Sequence, residues 1–178
     1  MLLTMLRADS WRMTVMHAVL ALRLPDAAVG AGFIRSMVWD VAHGYNFSTP
    51  LADVDVLFFD RLDRSRGREA RLEKSLRQRL PGIPFSVRNQ ARMHWRNGDR
   101  PYRDTTDAMG FWLETATCVA VSPRAGGAMT VLAPHSLDDL LSLRSRPTQA
   151  GQSKPGAYQA RMAAKDWPST WPHVVVAG

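Results

Sequence analysis

The chain of 178 residues is long enough to bury a core of its own, and its 46% hydrophobic content is ordinary for a globular protein. A single cysteine excludes an internal disulfide, and no apolar run reaches the roughly 18 residues that a membrane-spanning helix needs. The net charge of +7 is unevenly spread, with 13 Arg and Lys against 4 Asp and Glu in residues 61–103.

The apolar start Met1–Leu6 is too short for a signal-peptide core and lacks a basic lead, so a cytoplasmic location is expected. Almost all cations are Arg, the exceptions being Lys74, Lys154 and Lys165. Arg suits bidentate recognition of phosphate or carboxylate, although a GC-rich genome yields the same preference.

Ser10–Leu22 has apolar residues at helical spacing, with Ser10 available as N-cap. Leu24-Pro25-Asp26 turns the chain into a short strand, Ala27–Ala31, that leads to a turn at Gly32. A helix then runs from Ile34 to about His43, and a loop closed by Thr49-Pro50 precedes a second strand, Asp53–Phe59. Ser65–Leu80 reads as a charged helix with Leu72, Leu76 and Leu80 as its buried stripe. Phe85–Trp95 alternates as a third strand, with Ser86, Arg88, Gln90, Arg92 and His94 on its polar face. Asp107–Glu114 reads as a short helix, followed by the β-like run Thr115–Val121, in which Cys118 is a buried small hydrophobe. A turn over Ser122–Gly127 joins Cys118–Val121 to Met129–Ala133, and Ser136–Leu143 is a helix capped by Ser136. After the connector Gln149–Pro155 come a last helix, Tyr158–Asp166, and an aromatic tail, Trp167–Val176, expected to dock. Residues 1–178 are expected to form one domain, with 148–178 as its docked C-terminal helix and tail.

The chemistry concentrates in Gly30–Asp60. Asp53 and Asp55, two apart on a strand, present both carboxylates on one face while Val54, Val56 and Phe58 point to a core. Side-by-side carboxylates repel unless a cation lies between them, and Mg²⁺ favours one or two carboxylates plus substrate phosphates. Gly32 lets backbone approach a ligand closely, and the helix N-terminus after it offers N–H groups to phosphate. A Gly kept there only for packing is the alternative. Arg35, in the first turn of that helix, opposes the macrodipole and therefore needs an anionic partner. A triphosphate would serve, as would Asp53 or Asp55, or a purely structural salt bridge. Zinc spacing, a Walker loop and a Gly-x-Ser-x-Gly elbow are absent.

The stretch Ala31-Gly32-Phe33-Ile34-Arg35, followed by a helix and a strand with Asp-x-Asp, resembles the DNA polymerase β-like nucleotidyltransferase superfamily. AGFIRSMVWDVAHG, PLADVDVLFFD, FSVRNQARMHWRNGDRPY, WLETAT and LAPHSLDDLLSLRSRPT together are similar to a bacterial nucleotidyltransferase-like family and to the head domain of CCA-adding enzymes. The resemblance implies an α/β (α+β) fold, a mixed central β-sheet with helices packed on one face and the active site on the other. It implies transfer of a nucleoside monophosphate from a nucleoside triphosphate, ATP among the candidates, to a hydroxyl, with release of pyrophosphate and dependence on Mg²⁺ or Mn²⁺. Asp53 and Asp55 would be the metal ligands, and Gly32, Arg35, Gln90, Arg92 and His94 would face the nucleotide. The superfamily usually places a third carboxylate on the third strand; Gln90 stands in that place here. Glu114 is the residue that could supply it from elsewhere, its alternative being a surface acid at a helix end. The acceptor is open between a small molecule, a protein side chain and RNA. With a carboxylate missing, a non-catalytic nucleotide- or RNA-binding module is the alternative function.

Overall fold

In the computed structural model, which describes residues 1–177, the chain opens with helices α1 (Leu2–Ala8) and α2 (Ser10–Leu20). The cap of α2 is Asp9 and not Ser10: the Asp9 carboxylate accepts the Arg12 N–H at 2.9 Å. Strand β1 (Ala28–Gly30) leads through one residue into α3 (Gly32–Ala42), and β2 (Val54–Phe58) follows. Helix α4 (Arg66–Arg79), capped by Ser65, crosses to β3 (Phe85–Asn89). Short helices α5 (Met93–Asn97) and α6 (Thr105–Met109) come next, then the hairpin β4 (Ala120–Pro123) and β5 (Met129–Leu132). Helix α7 (Asp138–Leu141) and strand β6 (Arg144–Ser145) precede α8 (Gln149–Ser153), α9 (Pro155–Lys165), α10 (Trp167–Thr170) and β7 (Val175–Val176). No helix among the described residues is long and apolar enough to cross a membrane.

The main sheet has the order β3-β2-β1-β4-β5. Within this sheet β2 and β3 are parallel, as their connection through α4 requires, and its other pairs are antiparallel. A second sheet pairs β6 with β7. The result is a mixed sheet in an α+β fold, as the resemblance implies.

Alternation decides which face is buried. Val29, Val54, Val56, Phe58, Phe85 and Val87 are inaccessible or nearly so and join one core cluster. Phe33, Ile34, Met37 and Val38 of α3, Val15 and Val19 of α2 and Leu76 of α4 belong to the same cluster. The opposite parity, Ala28, Leu57 and Ala120, forms a small second cluster with Met109 of α6, against which Trp112 packs. Asp55 shares the parity of Leu57 and therefore faces away from the main core.

The third strand is shorter than its alternating pattern predicts. It ends at Asn89, and Gln90–Arg92 form a 3-10 turn before α5. The cause is the Asn89 side chain, which accepts the N–H groups of Ala91 at 3.1 Å and Asp60 at 3.0 Å and donates to the Asp60 and Asp63 carbonyls. Those bonds cap a turn where the ladder would have continued. Thr115–Val121 is likewise not one strand: Thr115–Thr117 is a 3-10 turn. Cys118 lies between that turn and β4, buried, its thiol pushed up by burial first and by Glu114 second.

Neighbouring residues at the end of β1 carry opposite constraints. A Cβ on Gly30 would lie 2.7 Å from Ala120 Cβ and 2.7 Å from the Val119 carbonyl oxygen. Ala31 adopts φ 51° and ψ −125°, a region that favours glycine. Gly30→Ala is expected to cost about 1–3 kcal/mol by overpacking. Ala31→Gly is expected to raise stability by about 1 kcal/mol, released strain exceeding the added chain entropy. Urea denaturation of the two variants, with opposite shifts in midpoint, checks both.

Candidate active site

The site is built on the start of α3. Ala31 is the N-cap and makes no side-chain cap bond; the Ile34 N–H turns back to the Ala31 carbonyl at 3.2 Å, and the Gly32 and Phe33 N–H groups stay available to an anion. A Cβ on Gly32 would meet the Arg35 guanidinium at 3.7 Å, which places that cation beside the helix N-terminus. The Arg35 carbon Cζ sits 5.2, 4.8 and 5.3 Å from the ring centroids of Trp39, Trp167 and Trp171. These rings compensate an unpaired cation through their π-faces. Among the described residues Arg35 forms no ion pair; one nitrogen donates to Ser36 Oγ at 3.2 Å, and Nε is buried without a partner there. Burial lowers the guanidinium to about 10. The indole nitrogen of Trp167 is also buried and unpartnered.

The carboxylates come from β2. Asp53 sits just before the strand and is exposed; Asp55 is within it and half-buried. Across the parallel register Asp55 is opposite Ser86. Burial and the neighbouring Asp53 push Asp55 up to about 6, against the pull of Arg161 and Lys165. One further carboxylate fixes the surroundings. Asp40 of α3 accepts the Thr49 N–H at 2.9 Å on one oxygen and the Trp171 indole N–H at 2.8 Å on the other.

Helix α9 closes the site. Arg161 Nε lies 2.8 Å from both oxygens of the fully buried Glu114, and Thr117 Oγ1 donates to the same carboxylate at 2.6 Å. Two cavities meet at Ala31, Asp55 and Arg161. The first, of about 240 Å³, is lined by Gly32, Arg35, Asp53, Lys165 and Trp167, with Thr49–Ala52 as one wall. The second, of about 410 Å³, holds Glu114 together with Met93, Phe111, Trp112 and Ala157.

A nucleotidyltransferase family model matches residues 17–176. The chain belongs to that family. A solved structure described as an NMR structure revealing a CCA-adding enzyme head domain is 26% identical, covers 99% of this chain and 94% of its own, and superposes with a TM-score of 0.87. No curated protein matches the chain.

In this nucleotidyltransferase the structure brings Gly32, Arg35, Asp53 and Asp55 to one cavity and Glu114 to the adjoining one. It does not bring Gln90, Arg92 or His94 to either. With β3 ending at Asn89, the residue opposite Asp55 is Ser86, not Gln90. Gln90 is buried and donates to the Arg88 carbonyl at 3.2 Å. Arg92 forks onto Glu69 of α4, with Nε 2.8 Å from one carboxylate oxygen. His94 is buried edge-on to Tyr102. Glu114 is not a surface acid at a helix end: α6 stops at Met109, and the carboxylate is enclosed. Arg146, in the LAPHSLDDLLSLRSRPT stretch, pairs with Asp139 at 2.9 Å.

Arg161, Lys165 and Trp167 were not legible as site residues from composition. Their signal is spacing: Tyr158, Arg161 and Lys165 recur at three and four residues, one stripe of a helix whose next turn brings Trp167.

The raised Asp55 carboxyl sets a pH dependence. In the unfolded chain it ionises near 3.8 and in the fold near 6, so the folded state holds the extra proton between these values. Stability contributed by that proton is therefore lost as pH rises through the window. Asp55→Asn is expected to stabilise the metal-free protein at pH 8 by about 1–2 kcal/mol, allowing for partial screening. The gain should shrink as pH falls from 6 toward 4, which paired urea denaturation curves at the two ends will check.

Proposed function

We propose that this nucleotidyltransferase transfers a nucleoside monophosphate from a nucleoside triphosphate to a hydroxyl acceptor, releasing pyrophosphate. The observation that carries the reading is the first cavity, where Asp53 and Asp55 face a helix N-terminus and an arginine with no carboxylate partner among the described residues. The likeness to a CCA-adding enzyme head domain supports it.

The carboxylates suit a divalent metal on their own chemistry. They are adjacent, like-charged, and neither is in an ion pair with a cation among the described residues. No cluster of three or more His, Cys, Asp or Glu that could hold a metal occurs among the described residues. Two carboxylates alone suit Mg²⁺ or Mn²⁺, which accept substrate phosphates and water as remaining ligands. Asp53 and Asp55 would hold it, and it would neutralise charge on the transferring phosphoryl group.

The chain's own groups do the positioning. Gly32 and the first turn of α3 cradle the triphosphate, while Arg35 and Lys165 balance charge on the departing pyrophosphate. Arg161 faces the carboxylate pair from the other side, oriented by Glu114. With both oxygens on Arg161, Glu114 acts as a positioning residue. Residues 148–178 work with the rest as one domain, since α9 and α10 supply Arg161, Lys165 and Trp167. A second reading, a nucleotide-binding module that does not transfer, is favoured by that engagement of Glu114, which leaves no free third carboxylate.

Mg²⁺ with a nucleoside triphosphate at a hundredfold excess over Kd is expected to raise Tm by roughly 5–10 °C. Asp53→Asn combined with Asp55→Asn should remove the metal-dependent part of that shift. Arg35→Met should weaken nucleotide binding by about 1.5–3 kcal/mol, whereas Arg92→Ala should leave it unchanged. Pyrophosphate release under the same conditions separates the transferase from the binding module. A metal-dependent shift that survives in the double variant would remove Asp53 and Asp55 from the site.

A further inference from the structure

Asp55 stands between two cavities of opposite character. On the triphosphate side are Arg35 and Lys165. On the other side the second cavity is walled by Met93, Phe111, Trp112 and Ala157 and continues, through Phe111 and Lys154, into an outer cavity of about 580 Å³. Phosphoryl transfer is in line, so the attacking oxygen arrives opposite the leaving pyrophosphate. With the pyrophosphate drawn toward the cations, that approach is from the second cavity.

The charge of this cleft is the reverse of the protein's. Five carboxylates and three Lys or Arg line the two connected cavities. Each of those cations is engaged. Arg161 is on Glu114, Lys154 lies 2.8 Å from Asp99, and Arg103 lies 2.9 Å from Asp107. Lys154 also donates to the Asn97 carbonyl at 2.7 Å, and His135 Nε2 lies 2.9 Å from the Gly110 carbonyl oxygen. The basic surplus lies elsewhere: a trough with four arginines (Arg66, Arg88, Arg92 and Arg96) against two glutamates (Glu69 and Glu73) shares no lining residue with the cleft. Three of the carboxylates are held in turn, Glu114 by Arg161, Asp99 by Lys154 and Asp107 by both Arg103 and Arg100, so a phosphate-bearing acceptor would find no lining cation without a carboxylate partner. A hydroxyl compound would find acceptors for its O–H and N–H groups, and aromatic walls for its C–H faces.

We propose that the second cavity is the acceptor site, and that it takes a small polyhydroxyl compound, uncharged or bearing amino groups, and not a nucleic acid. The inference rests on the nucleotidyltransferase reading above. The acceptor oxygen bonds to the α-phosphorus as the bond from that phosphorus to the β-bridging oxygen breaks. Pyrophosphate leaves with the electron pair, and the hydroxyl proton passes to water in the cleft.

The test gives the protein Mg²⁺, the four nucleoside triphosphates labelled at the α-phosphate, and separate acceptor pools. The pools are uncharged polyols and sugars, amino sugars and aminocyclitols, sugar phosphates, and single-stranded RNA. Label is expected in one of the first two pools at about tenfold or more above a water-only control. Ala157→Trp, which fills the cavity from the exposed side of α9, should cut that transfer at least about tenfold and keep Mg²⁺–nucleotide affinity within about twofold. Asn97→Trp serves as a second plug should the first variant misfold. Label in sugar phosphates or RNA overturns the inference. So does label in no pool while calorimetry still shows nucleotide binding, or transfer unchanged by both plugs. Loss of nucleotide binding in the parent protein would overturn the nucleotidyltransferase reading itself, and this inference with it.

Discussion

The ion pair between Arg161 and Glu114 is the interaction on which the site depends. One partner belongs to α9, late in the chain; the other lies on the segment entering β4, in the middle of it. Glu114 has no solvent contact, and both its oxygens are taken by Arg161, with Thr117 adding a hydroxyl. Such a pair adds little to stability against an apolar replacement, but losing one member strands a buried charge at a cost of about 3–5 kcal/mol. The bond therefore acts mainly as a specification: it sets where α9 lies along the sheet. Once Arg161 is fixed at the Asp55 junction, Lys165 one turn later reaches the first cavity and Lys154, the N-cap of the same helix, reaches the second.

The basic segment has a structural use that explains much of its composition. Arg68 pairs with Asp60, Arg88 with Glu73 and Arg92 with Glu69, so these cations fasten α4 to β3 and to the loop after β2. Glu69 and Glu73 also accept the Asn89 and Val87 N–H groups, so acids on α4 complete hydrogen bonding at the sheet edge. The carboxylates that would cancel the charge of this region are thus held inward, and the uncancelled arginines stay on the surface. Net charge is in this protein a poor guide to the polarity of the cleft.

The part of the fold that a sequence reader can see is the part with a single competing pattern. Ala27–Phe59 combines a turn-forming glycine, a helix-period run and a period-two strand, and β1, α3 and β2 follow within one or two residues. The third strand misleads because FSVRNQARMHW keeps its alternation past the point where the backbone bends. The side-chain bonds of Asn89 to Asp60 and Asp63, nearly thirty positions away in sequence, are long-range facts that no local period reports. Arg35 shows the same limit differently. Its misfit at a helix N-terminus was legible as a demand for compensation, but the compensation comes from three tryptophans, two of them more than 130 residues further on. Glu114 was legible as a carboxylate near the site, and its occupation by Arg161 was not.

Asp40 has a role wider than its hydrogen bonds. Its two oxygens hold Thr49, on the loop that brings in Asp53, and Trp171, behind the tryptophans around Arg35. Both jambs of the smaller cavity thus hang from one residue in the middle of α3, the helix whose N-terminus forms its floor. The aperture is gauged from within a helix, and the loop and the tail on either side reach to it. Insertions in the loop after α3 or in the C-terminal tail can then vary what surrounds the entrance, while its width remains that of one carboxylate and two hydrogen bonds.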